Sequence, residues 1–166
     1  MEREILLLGD PGLYEVSEKV RREELPEIEG VVRDLHDTMM SYRRRMKAGR
    51  AIAAPQIGVK KRLLYMCIDQ PVVFINPQLE FPDGEMMEVL DDCMSFPYLY
   101  VKVMRYRHCV ITYKDQDWQD CRMELEGDLS ELLQHEYDHL DGVLAVMRAV
   151  DERSLVMKRP DREQKL

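Results

Sequence analysis

Residues 134–142 read QHEYDHLDG, and this stretch is the most informative in the chain. Its two histidines, His135 and His139, are four residues apart, so on an α-helix they lie on one face and can bind one metal ion. Glu136 stands between them, close enough to move a proton of a water molecule that the ion activates. Gly142 follows where a helix terminator belongs. The stretch therefore predicts a metal-binding helix that ends just before Gly142.

The residues before this stretch favour a helix with one buried face. Leucines recur there at helical spacing on one side, at positions Leu129, Leu132, Leu133 and Leu140. Gly127 precedes them, and Asp128 and Glu131 have the spacing of a capping box. We therefore predict that this helix follows Gly127 and Asp128, with Asp128 as its N-cap.

The rest of the chain indicates one further helix and several strands. Apolar residues recur at steps of three and four over residues 26–47, where Pro26 suits a first helical turn. Its basic end, which contains Arg43, Arg44, Arg45 and Lys47, is expected to be a solvated helix terminus. Strands are predicted over residues 62–68, 72–79, 101–113 and 119–125, separated by Pro, Gly and Asn turn residues. The order helix, strands, helix predicts the α+β class.

Length and composition exclude several kinds of protein. The chain has 166 residues, and we predict one domain over residues 1–166. A hydrophobic fraction of 45% excludes a disordered chain, and a net charge of -8 argues against direct nucleic-acid binding. No apolar run approaches the ~20 residues of a membrane span, and residues 5–8 are too short for a signal-peptide core. We therefore expect a cytoplasmic protein without a membrane partner.

A catalytic metal site needs a third protein ligand besides the two histidines. Cys93, within the segment DDCMS at residues 91–95, is the better candidate, because a thiolate binds iron or zinc strongly. A metzincin protease would need a third histidine where this chain has Ala145. The downstream alternatives are carboxylates in a short polar tail, at Asp151, Glu152, Asp161 and Glu163. The other three cysteines are expected to be free, buried thiols: Cys67, Cys109 and Cys121.

A third segment reads GRAIAAPQIG at residues 49–58. Its small residues allow the backbone to approach a ligand closely. Gln56 can donate an amide N–H to an oxyanion. The segment is thus a candidate substrate-binding turn between the first helix and the first strand.

Together, the three segments resemble the motifs of the peptide deformylase family. That family shows Gly-x-Gly-x-Ala-Ala-Pro-Gln, then Glu-Gly-Cys-Leu-Ser, then Gln-His-Glu-x-Asp-His-Leu-x-Gly, in this order. This chain has GRAIAAPQIG, DDCMS and QHEYDHLDG, and the third match is complete. The likeness extends over nearly the whole chain.

The resemblance implies a fold, a cofactor and a reaction. The fold would be deformylase-like, with antiparallel or mixed strands around a central metal-binding helix. One divalent metal ion, natively Fe(II), would be held by Cys93, His135 and His139; Zn(II), Ni(II) and Co(II) also suit this ligand set. The reaction would be removal of the N-formyl group from the first methionine of nascent polypeptides. The partner would be a formylated peptide or a nascent chain at the ribosome.

The resemblance also implies roles for individual residues. Glu136 would transfer protons, while Gln56 and the backbone N–H of Met94 would hold the oxyanion. Asp91 would pair with Arg105 and so orient the metal ligands. The implied substrate-binding residues are Gly49, Arg50, Ala51, Val89, Asp92, Tyr100, Asp128, Glu131 and Leu132.

The chain departs from the family pattern at several positions. Ala51 replaces the second glycine of the first motif, and Asp-Asp replaces Glu-Gly before Cys93. Charged Arg50, Asp128 and Glu131 match positions of the methionine pocket that are usually apolar. Three alternatives therefore stay open: a deformylase-like hydrolase for a polar or charged N-formyl or N-acyl substrate, a catalytically impaired metal-binding homologue, and a small metallopeptidase with another third ligand.

Overall fold

Two α-helices and eight strands make up the computed structural model, which describes residues 1–159. The helices are α1 (Leu25–Met46) and α2 (Asp128–Leu140). The strands are β1 (Ala51–Ala53), β2 (Leu63–Cys67), β3 (Pro71–Glu80), β4 (Met86–Cys93), β5 (Phe96–Tyr106), β6 (His108–Lys114), β7 (Asp120–Glu126) and β8 (Leu155–Met157). Short 3-10 helices occupy Pro11–Tyr14, Arg22–Glu24, Ala54–Ile57 and Ala145–Arg148. The predicted α+β class is confirmed.

The strands form two sheets. The larger sheet has the order β1-β2-β3-β6-β7, and the smaller has the order β4-β5-β8. All pairings between these eight strands are antiparallel. Neither α1 nor α2 is long and apolar enough to cross a membrane. All four cysteines are free thiols, but of the three predicted to be buried only Cys109 is, because Cys67 and Cys121 are partly exposed.

The larger sheet is covered by a helix on each face, which explains why β2 is apolar at successive positions. Leu63 and Tyr65 belong to a core cluster with α1, whereas Leu64 and Met66 pack in a second cluster with α2. Successive strand residues point to opposite faces, so a strand buried on both sides reads as a continuous apolar run. Helix α2 also contacts β5 of the smaller sheet. It therefore lies between the two sheets, in agreement with the expectation of strands around a central helix.

The predicted capping box at the start of α2 is wrong. The N-cap residue is Gly127, with φ at 59°, and Asp128 is already the first helical residue. The backbone N–H of Glu131 donates to the carbonyl oxygen of Gly127. A residue in this positive-φ conformation is most easily glycine. The Glu131 side chain is consequently free of capping and turns towards Arg50 instead.

The single strand predicted over residues 101–113 is two strands in different sheets. β5 ends at Tyr106 and β6 begins at His108, with Arg107 crossing between the sheets. The backbone of Arg107 bonds to Glu85 and Gly127 rather than to a strand neighbour. Alternating hydrophobicity continues through this crossing, because β5 and β6 each have one buried face.

Strand β3 is irregular, and the basic end of α1 differs from the prediction. The strand predicted over residues 72–79 lies within β3, which has a bulge between Ile75 and Gln78. Asn76 adopts a positive φ of 50°, and its side chain bonds to the backbone of Val20. The basic end of α1 is also not wholly solvated, because Arg43 donates to the carbonyl oxygen of Gly49. That bond anchors the loop before β1.

The described residues include most of the chain. Asp161 and Glu163, two of the alternative ligands, lie outside them, as does the end of the domain predicted over residues 1–166.

Gly142 is required where the chain leaves α2. Its φ is +70°, and a Cβ atom there would overlap the carbonyl oxygen of Tyr14. We expect Gly142→Ala to destabilise the protein by about 2 kcal/mol or more, through both backbone strain and this overlap. Gly58→Ala is the matched control, because Gly58 has a φ of +79° but open space around it. Equal losses of unfolding free energy in urea denaturation would show that the overlap with Tyr14 does not matter.

Candidate metal centre

The three predicted metal ligands converge where the end of β4 meets α2. The side-chain donor atoms of Cys93, His135 and His139 all lie within 4.8 Å of one another, and the three residues are buried. The Cys93 Sγ atom is 3.4 Å from the Nε2 atom of His139, and the two imidazole rings are 5.0 Å apart. One thiolate and two imidazoles form a donor set suited to divalent first-row metals. Catalytic metal sites have three protein ligands and one further position for water or substrate, so the number of donors fits such a site.

His139 is held in the form that binds a metal. Burial, together with the nearby positive charge of His135, keeps the pKa of His139 well below its usual value. The neutral imidazole therefore prevails, and it is the neutral ring that coordinates metal. The chemistry of the three donors and the neutral ring of His139 thus fit a metal ion.

His135 is oriented by a buried carboxylate. Its Nδ1 atom lies 3.0 Å from an Asp91 oxygen, which leaves Nε2 for the cluster. Arg105 donates to the same carboxylate at 2.9 Å, so Asp91 and Arg105 pair as predicted. Burial opposes the charge on Asp91, but His135 and Arg105 outweigh it and lower the pKa of Asp91 to about 2. Burial likewise opposes the charge on His135, yet Asp91 and Cys93 together raise the pKa of His135 well above its usual value.

Two more residues extend this network, and the sequence analysis did not identify them. Asp138 accepts a hydrogen bond from Arg105 at 2.6 Å, and Arg148 donates to both Asp138 oxygens, at 2.6 and 2.8 Å. A continuous series of charged contacts therefore runs from the half-exposed Arg148 to His135. The available signal was Asp138 itself, because an acidic residue on the buried part of a helix must have a cationic partner.

Glu136 is buried next to the cluster and has an oxygen without a partner. Its side chain is on α2 between the two histidines, and its Oε2 atom makes no hydrogen bond within the described residues. Burial raises the pKa of this carboxyl to about 7, with His135 lowering it and Asp91 raising it further. A carboxyl whose pKa is near 7 can both accept and release a proton at neutral pH.

Gln56 presents its amide N–H groups to the cluster. Its Oε1 atom accepts from the Ala53 backbone N–H at 2.9 Å, which fixes the orientation of the amide. The Nε2 atom consequently faces Ser95 Oγ at 3.2 Å and Cys93 Sγ at 3.5 Å. Met94 follows Cys93 in the β4–β5 turn and lines the same cavity. The predicted oxyanion donors thus lie beside the predicted metal ligands.

A cavity of about 330 Å³ opens onto this cluster. It is lined by six of the predicted substrate-binding residues, namely Gly49, Arg50, Ala51, Asp92, Glu131 and Leu132. It is also lined by residues that the sequence analysis did not select, Tyr42, Lys47, Ala48 and Leu90. They lie at the end of α1, in the loop after it and on β4. Apolar or charged residues in such places are equally typical of an ordinary core or surface, so the sequence carried no signal for them.

Three predicted substrate-binding residues do not line the cavity. Val89 packs against the core of the smaller sheet, and Tyr100 pairs with Val156 of β8. Asp128 is exposed in the first turn of α2. The prediction is corrected for these three residues, because Val89 and Tyr100 are engaged by the smaller sheet and Asp128 is exposed to solvent.

Two ion pairs lie at the cavity wall. Arg50 Nη2 lies 3.4 Å from Glu131 Oε1, and Lys158 Nζ lies 2.6 Å from Asp92 Oδ2. Lys158 follows β8, so the C-terminal strand supplies the partner of Asp92. Burial and the charge of Asp91 raise the pKa of Glu131 to about 7, although Arg50 opposes the shift.

Comparison with known proteins identifies the family. The family model of polypeptide deformylase matches residues 2–154. This chain belongs to the polypeptide deformylase family. The peptide deformylase of Treponema pallidum is 34% identical over 151 residues, which are 90% of this chain and 89% of that protein.

Solved structures agree with this membership. A peptide deformylase from Thermotoga maritima has a TM-score of 0.83 and 30% identity, over 91% of this chain and 99% of that one. A peptide deformylase from Synechococcus elongatus, solved in complex with actinonin, has a TM-score of 0.83 and 32% identity, over 90% of this chain and 80% of that one. As a polypeptide deformylase, the chain is a metallo-hydrolase that removes formyl groups and uses a divalent metal ion.

The protonation of Glu136 predicts a pH dependence of stability in the metal-free protein. Its folded pKa of about 7 lies above the ordinary value of 4.5, so between these values the folded chain holds a proton that the unfolded chain has lost. The contribution of the Glu136 carboxyl to the free energy of unfolding is therefore complete below about pH 4.5 and is lost as the pH rises through about 7. As the pH rises from about 5 to 7.5, the free energy of unfolding of wild type should fall by on the order of 2 kcal/mol more than that of Glu136→Gln. Urea denaturation at each pH measures both values. Glu124→Gln, an exposed control on β7, should show the same dependence of unfolding free energy on pH as wild type. If Glu136→Gln also shows the wild-type dependence, the raised pKa does not belong to Glu136.

Proposed function

We propose that this chain removes the N-formyl group from the first methionine of nascent polypeptides at the cavity next to Cys93, His135 and His139. The observation that supports this proposal most directly is the buried cluster of these three side chains, with an unpartnered oxygen of Glu136 beside it. Amide hydrolysis needs an activated water, a proton carrier and donors for an oxyanion. In the cavity wall, Glu136 can carry the proton and Gln56 can donate to the oxyanion. The metal-binding cluster suits the activation of water.

Cys93, His135 and His139 would hold the metal ion, and we propose Fe(II) as the native one. Zn(II), Ni(II) and Co(II) suit the same donors, so supply and geometry select among them. When bound, such an ion polarises a carbonyl and lowers the pKa of water, which are the two effects that amide hydrolysis requires. Asp91 and Arg105 act on His135 as positioning residues, because they hold its ring by hydrogen bonds.

Glu136 is the proposed proton carrier. Its carboxylate takes a proton from the water whose oxygen attacks the formyl carbon. The same proton then goes to the departing amine as the carbon–nitrogen bond breaks, which releases formate and the free amino terminus. Burial favours this exchange, because a carboxyl with a pKa of about 7 binds and releases protons with little bias near neutral pH.

Gln56 and the backbone N–H of Met94 are the proposed oxyanion donors. The Ala53 N–H already holds the Gln56 carbonyl, which orients the amide N–H groups towards the cluster, where the oxyanion would form. Such a preorganised donor is typically worth ~3 kcal/mol of transition-state stabilisation.

The proposed setting of the reaction is the cytoplasm, with the nascent chain as partner. A formylated amino terminus that emerges from the ribosome is an extended peptide, and the open cavity can receive such an end. The acidic net charge of -8 indicates that contact with the substrate does not involve binding to nucleic acid.

Loss of Cys93 should remove the metal. We expect Cys93→Ala to bind Ni(II) or Zn(II) at least 100-fold more weakly, because two imidazoles alone make a poor site. Equilibrium dialysis with elemental analysis measures this affinity. Cys109→Ala is the control, since Cys109 is also a buried thiol but lies in the core between the larger sheet and α2. Unchanged metal affinity in Cys93→Ala would mean that the proposed ligand set is wrong.

Loss of Glu136 should separate metal binding from hydrolysis. Anaerobically prepared wild type loaded with Fe(II) or Ni(II) should release formate from formyl-Met-Ala-Ser. Glu136→Ala should keep its metal and lose kcat by about 100-fold or more, because the proton carrier is missing. A coupled formate assay and metal analysis are made on the same preparations. A full rate in Glu136→Ala would remove Glu136 from its role, and metal-loaded wild type without turnover would contradict the proposed function.

A further inference from the structure

The cavity contains an ion pair that the proposed chemistry does not use. Glu131 lies one helical turn before His135 on α2, so the two side chains project from the same face. Arg50 approaches from the loop before β1, where its carbonyl oxygen accepts from the Cys67 N–H at 2.9 Å. Both Arg50 and Glu131 line the cavity. A substrate whose reacting carbon lies at His135 therefore has its neighbouring side chain within reach of this pair.

The pair is joined by a single contact and borders the cavity. Arg50 and Glu131 share one contact of 3.4 Å, with the Arg50 side chain 43% exposed and the Glu131 side chain 16% exposed. A single contact of this length leaves other guanidinium N–H groups and the second carboxylate oxygen available. The pair thus presents both donors and an acceptor to a ligand in the cavity. Leu90 and Leu132 supply apolar surface beside it.

A group that matches such a pair has one acceptor and one donor of its own. A carboxamide meets this requirement, because its carbonyl accepts from Arg50 while its NH₂ group donates to Glu131. An acidic or basic side chain would pair with one partner and be repelled by the other. Glutamine has nearly the same reach as methionine, so both can extend to the same depth beside Leu132.

We propose that Arg50 and Glu131 determine the specificity for the first side chain of the formylated peptide, and that they admit a carboxamide side chain beside methionine. This inference rests on the proposed function, because it assumes that the formyl carbon lies at the cluster of Cys93, His135 and His139. The substrate class is then formyl peptides whose first residue is methionine or glutamine, with charged first residues disfavoured.

The test compares four peptides on the metal-loaded full chain: formyl-Met-Ala-Ser and its counterparts with Gln, Glu or Lys at the first position. Wild type should hydrolyse the Gln peptide with kcat/KM within about tenfold of the Met peptide, and the Glu and Lys peptides at least about tenfold more slowly than Gln. The double variant Arg50→Leu/Glu131→Leu should lower the Gln-to-Met ratio by about tenfold or more. Arg122→Leu/Glu124→Leu is the matched control, an exposed Arg–Glu pair on β7 that should leave the ratio unchanged.

A single variant gives an independent signature if the double variant does not fold. Glu131→Gln removes the repulsion of an acidic side chain but keeps Arg50, so the Glu peptide should gain about tenfold relative to Met. Metal content and circular dichroism establish that each variant is folded. A Gln-to-Met ratio that stays within twofold of wild type in the double variant overturns the proposal, as does a Glu131→Gln variant that gains nothing on the Glu peptide.

Failure of the inference and failure of the proposed function give different results. Turnover of the Met peptide alone, with Gln as slow as Lys, refutes the inference and leaves the proposed function intact. If wild type releases formate from no peptide, the proposed function fails. The same four peptides then bind without turnover, so calorimetry measures their relative affinities for wild type and for the double variant. Equal affinities in the two proteins would refute the specificity role of the pair.

Discussion

The buried carboxylate of Asp91 is the contact on which the site depends. It accepts hydrogen bonds from Arg105 of β5 and from His135 of α2, and it belongs to β4 itself. One side chain thus ties the smaller sheet to the central helix. A buried charge that loses its partner is costly, typically by several kcal/mol, so the three groups hold one another in place. The imidazole of His135 is fixed as a consequence, and with it the geometry of the cluster.

The site is assembled from parts that lie far apart in the sequence. Cys93 comes from the end of β4, the histidines and Glu136 from α2, and Gln56 from the short 3-10 helix after β1. The larger sheet carries β1 and packs against α2, while the smaller sheet carries β4 and contacts α2 through β5. The position of α2 between the sheets therefore brings the parts together. It also buries Glu136, which is the physical cause of its raised pKa.

The charges of Asp92 and Glu131 in the cavity wall are tolerated because each has a partner. Asp92 is paired with Lys158, and Glu131 with Arg50. An unpaired charge beside an apolar pocket would be penalised, whereas a solvated or paired one need not be. The pairs explain how a member of the polypeptide deformylase family can have charged residues where the sequence resemblance indicates apolar ones. They also give the cavity a polarity that a substrate must match.

Periodicity and motif spacing determined the two helices, the α+β class and the placing of His135 and His139 on one helix face, because these depend on local geometry. Thiolate chemistry and the family resemblance, rather than spacing, indicated Cys93 as the third ligand. Only the tertiary structure decided the break at Arg107, the N-cap at Gly127 and the absence of Val89, Tyr100 and Asp128 from the cavity wall. Each of these depends on strand register or on a backbone bond to a distant segment. The same is true of Lys158, which reaches Asp92 across 66 positions of sequence. Pairing between distant residues leaves no periodic trace in the chain. The contact of Lys158 with Asp92 and the part that Arg148 plays in the charged series therefore became visible only when the fold brought the partners together.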